Sequence, residues 1–318
     1  LLRGRGDRLG LAQIGNRVNT STVQNGQILQ TQQISSDDAR LTALGIPQPK
    51  AEISDGYAAG LTGSFGNLTV TVDGFQINIR DRIAITDGLL AASYPTIASL
   101  FPGVREIRFF TNQIDTRTRG VDVVATYKVA LESGSRLTLT LAGSHAATKV
   151  LRQRPTPAAL IVGATAANQA APLLGLTAIE LIEVAQPRDK LVLSTTLETG
   201  PFVIGLRGTY FGSVKAFSTG LSASDPNVQC NSAGRCVQNF RAKMPFDLNV
   251  TWNATEKLAL TVGANNIFNT YPDKWNARRN GFNGEAASYS NGQTPYTRNA
   301  GQFGFNGSYY YVTANLNF

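Results

Sequence analysis

The 318-residue sequence carries two cysteines and one histidine, which bounds its thiolate and imidazole chemistry tightly. Cys230 and Cys236 flank the polar, glycine-containing stretch QCNSAGRCVQ, which suits a small disulfide-closed loop in an oxidising compartment. A metal site is the sharper alternative, but with only His145 elsewhere it needs carboxylates to complete a zinc shell. Two unpaired buried thiols are the bland alternative. There is no nucleophile triad and no glycine loop set between a strand and a helix, so no enzyme is expected and no cofactor is implied. GLRGTYFG and GRGDRLG lack the Lys and the helical context of a phosphate loop. What remains is a concentration of aromatic and cationic side chains in two long polar segments. YPDKWNARRNGFNGEAASYSNGQTPYTRNAGQ holds Trp275, Arg278, Arg279, Tyr289, Tyr296 and Arg298, and DPNVQCNSAGRCVQNFRAK adds Arg235, Arg241 and Lys243. Aromatic planes beside guanidinium groups suit an anionic, partly aromatic small molecule. Aromatic planes also suit sugar rings, and the plain reading is a loop packed on its neighbours.

The elements that must position these segments are strands. Charged residues make up 16% of the chain, below the roughly one quarter of an average soluble protein, yet no apolar run reaches the length of a transmembrane helix. In PFDLNVTWNAT, Phe246, Leu248, Val250 and Trp252 alternate with Asp247, Asn249, Thr251 and Asn253, the period of a strand with one greasy and one wet face. Leu258 to Ala264 repeats the pattern after a brief turn. Leu191 to Leu197, Phe202 to Leu206, Val121 to Val129, Leu137 to Leu141, and the pair Tyr57 to Phe65 and Leu68 to Val72 follow suit.

Connections alternate between short turns near 65, 133, 200 and 255 and long polar segments at about 86–105, 151–187, 217–243 and 269–305. Short ends on one side and long ends on the other fit an antiparallel transmembrane β-barrel, with short periplasmic turns and long extracellular loops. Phe65, Tyr127, Phe202, Trp252 and Phe318 share the apolar parity near the short-turn end, as interface aromatics would. Arg117 and Arg119 share that parity above the apolar band, where lipopolysaccharide phosphates are their natural partners and a solvated rim is the plain reading. The net charge of +8 is scattered, without the aromatic interleaving of a nucleic-acid groove, so no nucleic-acid partner is expected. About nine or ten strands can be counted. An open set leaves unsatisfied backbone edges in a bilayer, so a portion of a larger barrel is expected. Residues 1–49 are the end of an outer loop or strand, and 50–318 form the C-terminal part of the barrel.

NLTVTVDGFQINIRDRIAIT, FFTNQIDTRTRGVDVVATYK, LALTVGANNIFNTYPDKW and the closing YYYVTANLNF resemble, in that order, the C-terminal barrel segments of TonB-dependent outer-membrane receptors. The resemblance implies a barrel of about 22 strands closed by an N-terminal plug, located in the bacterial outer membrane. Neither the plug nor the energy-coupling segment is among these residues. It also implies energised uptake of a scarce ligand, a ferric siderophore or other iron complex by default, with the TonB complex acting through the plug. Carbohydrate uptake, a passive channel and a structural or adhesive barrel are the alternatives. Arg207, on the wet parity, is a further candidate ligand contact facing the lumen, with pairing to the plug as the alternative. Tyr310, Val312, Leu316 and Phe318 would form the terminal signal read by the barrel-assembly machinery.

Overall fold

A computed structural model of the protein describes residues 2–8, 18–24, 27–169, 171–218, 228–230, 236–275, 295–296 and 301–317. In chain order its elements are β1 (Leu2–Arg8), β2 (Val18–Gln24), β3 (Gln27–Gln33), α1 (Ala39–Ala43), β4 (Glu52–Phe65), β5 (Leu68–Ile85), β6 (Leu89–Leu90), α2 (Pro95–Leu100), β7 (Val104–Arg108), β8 (Phe110–Ala130) and β9 (Arg136–Gln153). There follow α3 (Ala166–Gln169), α4 (Leu176–Glu183), β10 (Asp189–Thr199), β11 (Phe202–Phe211), β12 (Val214–Ser218), β13 (Val228–Cys230), β14 (Cys236–Phe240), β15 (Phe246–Asn253), β16 (Leu258–Asn265) and β17 (Tyr309–Leu316).

Ten strands form one antiparallel sheet in the order β1-β4-β5-β8-β9-β10-β11-β15-β16-β17. The sheet is open, with β1 and β17 each paired on one side only among the described residues. Four of its turns are tight. Gly66 and Gly200 sit at φ +59° and +52° in two of them with open space around the Cβ position, a conformation glycine adopts without steric cost. At the other end the connections are long: 86–109, 154–188, 212–245 and 266–308. The two ends of the sheet therefore differ as the sequence reading expects.

The register fixes the faces, because directly opposed residues share one. Phe65, Leu68, Tyr127 and Leu139 are opposed in turn across β4, β5, β8 and β9. Phe202, Trp252, Leu260 and Ala314 are opposed across β11, β15, β16 and β17. Among the described residues nothing packs over this face: Leu61 is 83% exposed, Phe65 70% and Val312 75%. So much open apolar surface is unstable in water and is what a lipid-facing wall requires. The opposite face is wet. Cross-strand hydroxyl pairs join Thr62 to Thr71 (3.0 Å), Thr118 to Thr148 (2.8 Å) and Thr251 to Thr261 (2.8 Å). Val124 and Ile77 are apolar exceptions on it.

Two features exceed the sequence reading. First, β5, β8 and β9 run to 18, 21 and 18 residues, well past the roughly 9–11 that cross a bilayer. Their outer halves stay paired through register shifts after Ile79 and beside Asp115. Asp81 takes φ +56° at the first shift, and its carboxylate is held by Lys50 and Arg154. Second, the segments expected as polar loops are folded. β2-β3-β7-β6 form a sheet in which β3 and β7 run parallel. Ile34, Leu41, Ile97, Phe101, Ile107 and Leu160 are buried together beside it. No described helix is long and apolar enough to cross a membrane.

A face-specific cost follows. Leu206→Arg places a cation on the apolar face and is expected to lower unfolding stability in lipid by about 2–4 kcal/mol. Thr196→Arg, on the wet face, is expected to cost less than about 1 kcal/mol. Denaturant titration of liposome-embedded protein checks the difference.

Candidate functional site: the loop cap and the inner wall

The described parts of the two loop segments that hold the expected ligand contacts meet in a small cap. β12, β14 and β13 form its sheet, and Cys230 and Cys236 are directly opposed across it and joined by a disulfide. With both thiols bonded to each other, they are not available as metal ligands. Val214, Ala216, Val228, Cys236 and Phe240 bury one side, and Trp275 closes it. Trp275, expected as an open aromatic contact, is 1% exposed and stacks on Phe240 at 6.0 Å with the rings 5° from parallel. It is a core residue of the cap, because a large apolar ring gains more from burial than from a wet loop.

Arg241 and Lys243 are also committed within the protein. Both grip Asp273, at 3.1 and 2.8 Å, and the Arg241 backbone N–H donates to the same carboxylate at 2.7 Å. Burial opposes ionisation of Asp273, but the hydrogen bonds from Arg241 and Lys243 outweigh it and hold the carboxyl down to about 2. Gln302, itself buried, ties the cap to the sheet by donating to the carbonyls of Gly212 and Arg241. Arg235, Arg278, Arg279, Tyr289 and Arg298 lie outside the described residues.

The expected residue that does stand in an open aromatic group is Tyr296. It stacks on Tyr271 at 6.1 Å, 3° from parallel, and on Phe305 at 5.2 Å. Tyr271 and Phe305 retain exposed surface at the rim of β16 and β17. Sequence reasoning missed both. Their only signal was position: Tyr271 follows β16 and Phe305 precedes β17 closely enough for the two strand ends to bring them together. Below the rim, Tyr309 and Tyr311 stack on the wet face of β17.

Arg207 faces the wet side as expected, but its partner is local. It forms an ion pair with Asp247 at 3.1 Å, directly opposite it across β11 and β15. The second oxygen of Asp247 accepts the Asn266 N–H at 2.8 Å. The charge reserved for a plug is thus met within the sheet. Among the interface aromatics, Phe65, Tyr127, Phe202 and Trp252 are exposed on the apolar face; Phe318 lies outside the described residues. Tyr310, Val312 and Leu316 are exposed on β17. His145 Nδ1 lies 2.6 Å from Asp189, opposite it on the apolar-face parity.

Because the folded Asp273 carboxyl titrates below its ordinary 3.8, the clamp's stabilisation is complete above that value and is lost as pH falls from about 4 toward about 2. The protection of the β12 and β14 amides from hydrogen exchange, taken relative to their intrinsic exchange rate at each pH, is expected to hold down to about pH 4 and to fall below it. In Asp273→Asn it should already be low at neutral pH with the barrel amides unchanged; equal protection in that variant would contradict the clamp.

Comparison with known proteins agrees with this geometry. Residues 13–267 match the family described as TonB dependent receptor-like, beta-barrel. The ferric enterobactin receptor PfeA (G324V mutant) from Pseudomonas aeruginosa superposes with a TM-score of 0.53 at 16% identity, over 99% of this chain and 37% of that one. The pyoverdine receptor FpvA from Pseudomonas aeruginosa PAO1, bound to pyoverdine, gives 0.47 at 16%, over 85% and 30%. The transporter YddB from Escherichia coli gives 0.48 at 12%, over 71% and 30%. This chain thus spans about a third of the length of these structures, and no curated protein matches it. With its sheet, its two-faced wall and a family match over most of its length, the chain belongs to the TonB-dependent receptors, as part of their bacterial outer-membrane β-barrel.

Proposed function

We propose that the chain forms wall and outer loops of a receptor for energised uptake of a scarce ligand, a ferric siderophore or another iron complex. Membership of the family supports the transport class. The observation that supports the ligand class is the aromatic tier of Tyr271, Tyr296 and Phe305, which leaves ring surface open at the rim. Flat aromatic faces stack on planar or aryl ligands, and the chain's charge of +8 favours approach of anions. In this reading the TonB complex works through a plug outside these residues. The barrel-assembly machinery reads the terminal strand at Tyr310, Val312, Leu316 and Phe318, and lipopolysaccharide surrounds the wall. Arg235, Arg278, Arg279, Tyr289 and Arg298 belong to the ligand-facing loops, while Trp275, Arg241, Lys243 and Arg207 act by holding the cap and wall in shape.

The test is uptake of radiolabelled iron from a panel of purified ferric siderophores, in a deletion strain complemented with the intact gene, with and without TonB. Uptake is expected only with TonB. Replacing both Tyr271 and Phe305 by Ala is expected to raise the half-saturating concentration about tenfold, as loss of roughly 1–1.5 kcal/mol of stacking would. TonB-independent uptake would identify a passive channel instead. Growth on oligosaccharides with no iron phenotype would identify a carbohydrate receptor.

A further inference from the structure

We propose that the loop body built on β2 and β3 carries a binding site for a neutral saccharide, separate from the aromatic tier and from transport. A cavity of about 290 Å³ opens between these two strands and the segment that leads into α1. Asn19, Gln32, Gln33, Ser35, Asp38 and Arg40 supply its polar lining, and Val18 and Ile34 its apolar surface. The register opposes Asn19 to Gln32 across β2 and β3, so both amides stand on one face. Small-molecule sites run from roughly 300 Å³ upward, so the space suits one small ring and not a bulky complex.

The walls are fixed before any ligand arrives. Ile34 belongs to the core that holds Ile97, Phe101 and Ile107, and its N–H donates to the Arg108 carbonyl at 2.7 Å. Ser36 Oγ donates to the Phe110 carbonyl at 2.8 Å, which pins the segment to the start of β8. The Arg40 guanidinium lies 4.2 Å over the Phe101 ring. Asp38 holds it edge-on, accepting from Nε at 3.0 Å and from Nη2 at 2.7 Å.

That fork decides the charge of the ligand. Asp38 and Arg40 are the charged groups among the described residues that line the cavity, and each already holds the other. A cation finds no open carboxylate there, and an anion meets a guanidinium with its countercharge in place. Neutral donors and acceptors remain. Gln32 Nε2 donates to Gln30 Oε1 at 3.2 Å, which leaves the Gln32 carbonyl oxygen to accept. The exposed Asn19 amide has no hydrogen-bond partner among the described residues, and Arg40 Nη1 stands outside the fork with two more N–H groups. An acceptor, a primary amide and a guanidinium edge around one small concavity match a ring with adjacent hydroxyls, since each hydroxyl both donates and accepts. Val18, 46% exposed, meets the C–H face of such a ring. A peptide strand is recognised through backbone groups at a sheet edge, whereas the groups on offer here are side chains on a face.

The site sits on the body that precedes β4, while the aromatic tier stands by β16 and β17 at the other end of the sheet order. Saturation-transfer NMR on the intact receptor, in a detergent without a sugar headgroup, tests it without TonB or transported ligand. The probes are neutral trisaccharides of glucose, galactose, mannose and N-acetylglucosamine, a uronic-acid trimer and trialanine. At least one neutral trisaccharide is expected to bind about tenfold or more tightly than the uronate or the peptide, because an extra buried charge has no partner here. Asn19→Ala/Gln32→Ala should weaken that binding about tenfold, as loss of two neutral hydrogen bonds implies. Thr20→Ala, on the opposite face of β2, should leave it unchanged. The polymer of the bound sugar, given as competitor, is displaced into the site if the source is a surface glycan and is ignored if the source is a free sugar; both results support a neutral saccharide. No transfer from wild type to any neutral trisaccharide at roughly 10 mM would overturn the proposal. So would equal binding of the uronate or trialanine, an unchanged Kd in the double variant, or an equal loss in Thr20→Ala.

Discussion

In hydrocarbon a strand's N–H and C=O groups have no partner but another strand, and the arrangement of this chain follows from that constraint. Continuous antiparallel pairing meets it for the strands between β1 and β17, and continuous pairing in turn locks side-chain parity. Phe202 cannot face outward unless Trp252, Leu260 and Ala314 do so as well. The hydroxyl pairs of the opposite face come from the same register. Short turns keep neighbouring strands in phase at one end, which leaves the other end free to carry the long segments.

Two solvents act on one chain. In the wall, large apolar side chains stay exposed because lipid is their solvent: Phe65 is 70% exposed. Above the wall water returns, and the hydrophobic effect drives apolar groups together again. Phe101 and Trp275, each 1% exposed, lie in packed cores built from loop segments. The loops are therefore small folded bodies with their own sheets, and the aromatic tier and the Asp273 clamp are set by those bodies. Arg117 and Arg119 fall at the boundary between the two regimes.

The wall was legible in the sequence because period-two alternation is local: Phe246 to Trp252 reveals its two faces without reference to any other strand. Arg207 and Asp247 show how far such reasoning reaches. The register that opposes Phe202 to Trp252 also opposes Arg207 to Asp247, so one more step of bookkeeping finds the pair. The loop cores were not legible in this way. Helices α1 to α4 span 4 to 8 residues, too short for a periodic signal. The parallel pairing of β3 with β7 joins segments far apart in sequence. Trp275 and Tyr296 sit in the same polar segment, one a core ring and the other part of an open stack, and composition does not separate them.

The central claim is that one face of this sheet meets lipid and the other meets water. Spin labels placed singly at each position from 191 to 197, in receptor reconstituted into bilayers, test it directly. Collision with oxygen, which partitions into lipid, is predicted to peak at 191, 193, 195 and 197. Collision with a water-soluble nickel chelate should peak at 192, 194 and 196. A flat profile, or one with the parities exchanged, would contradict the account.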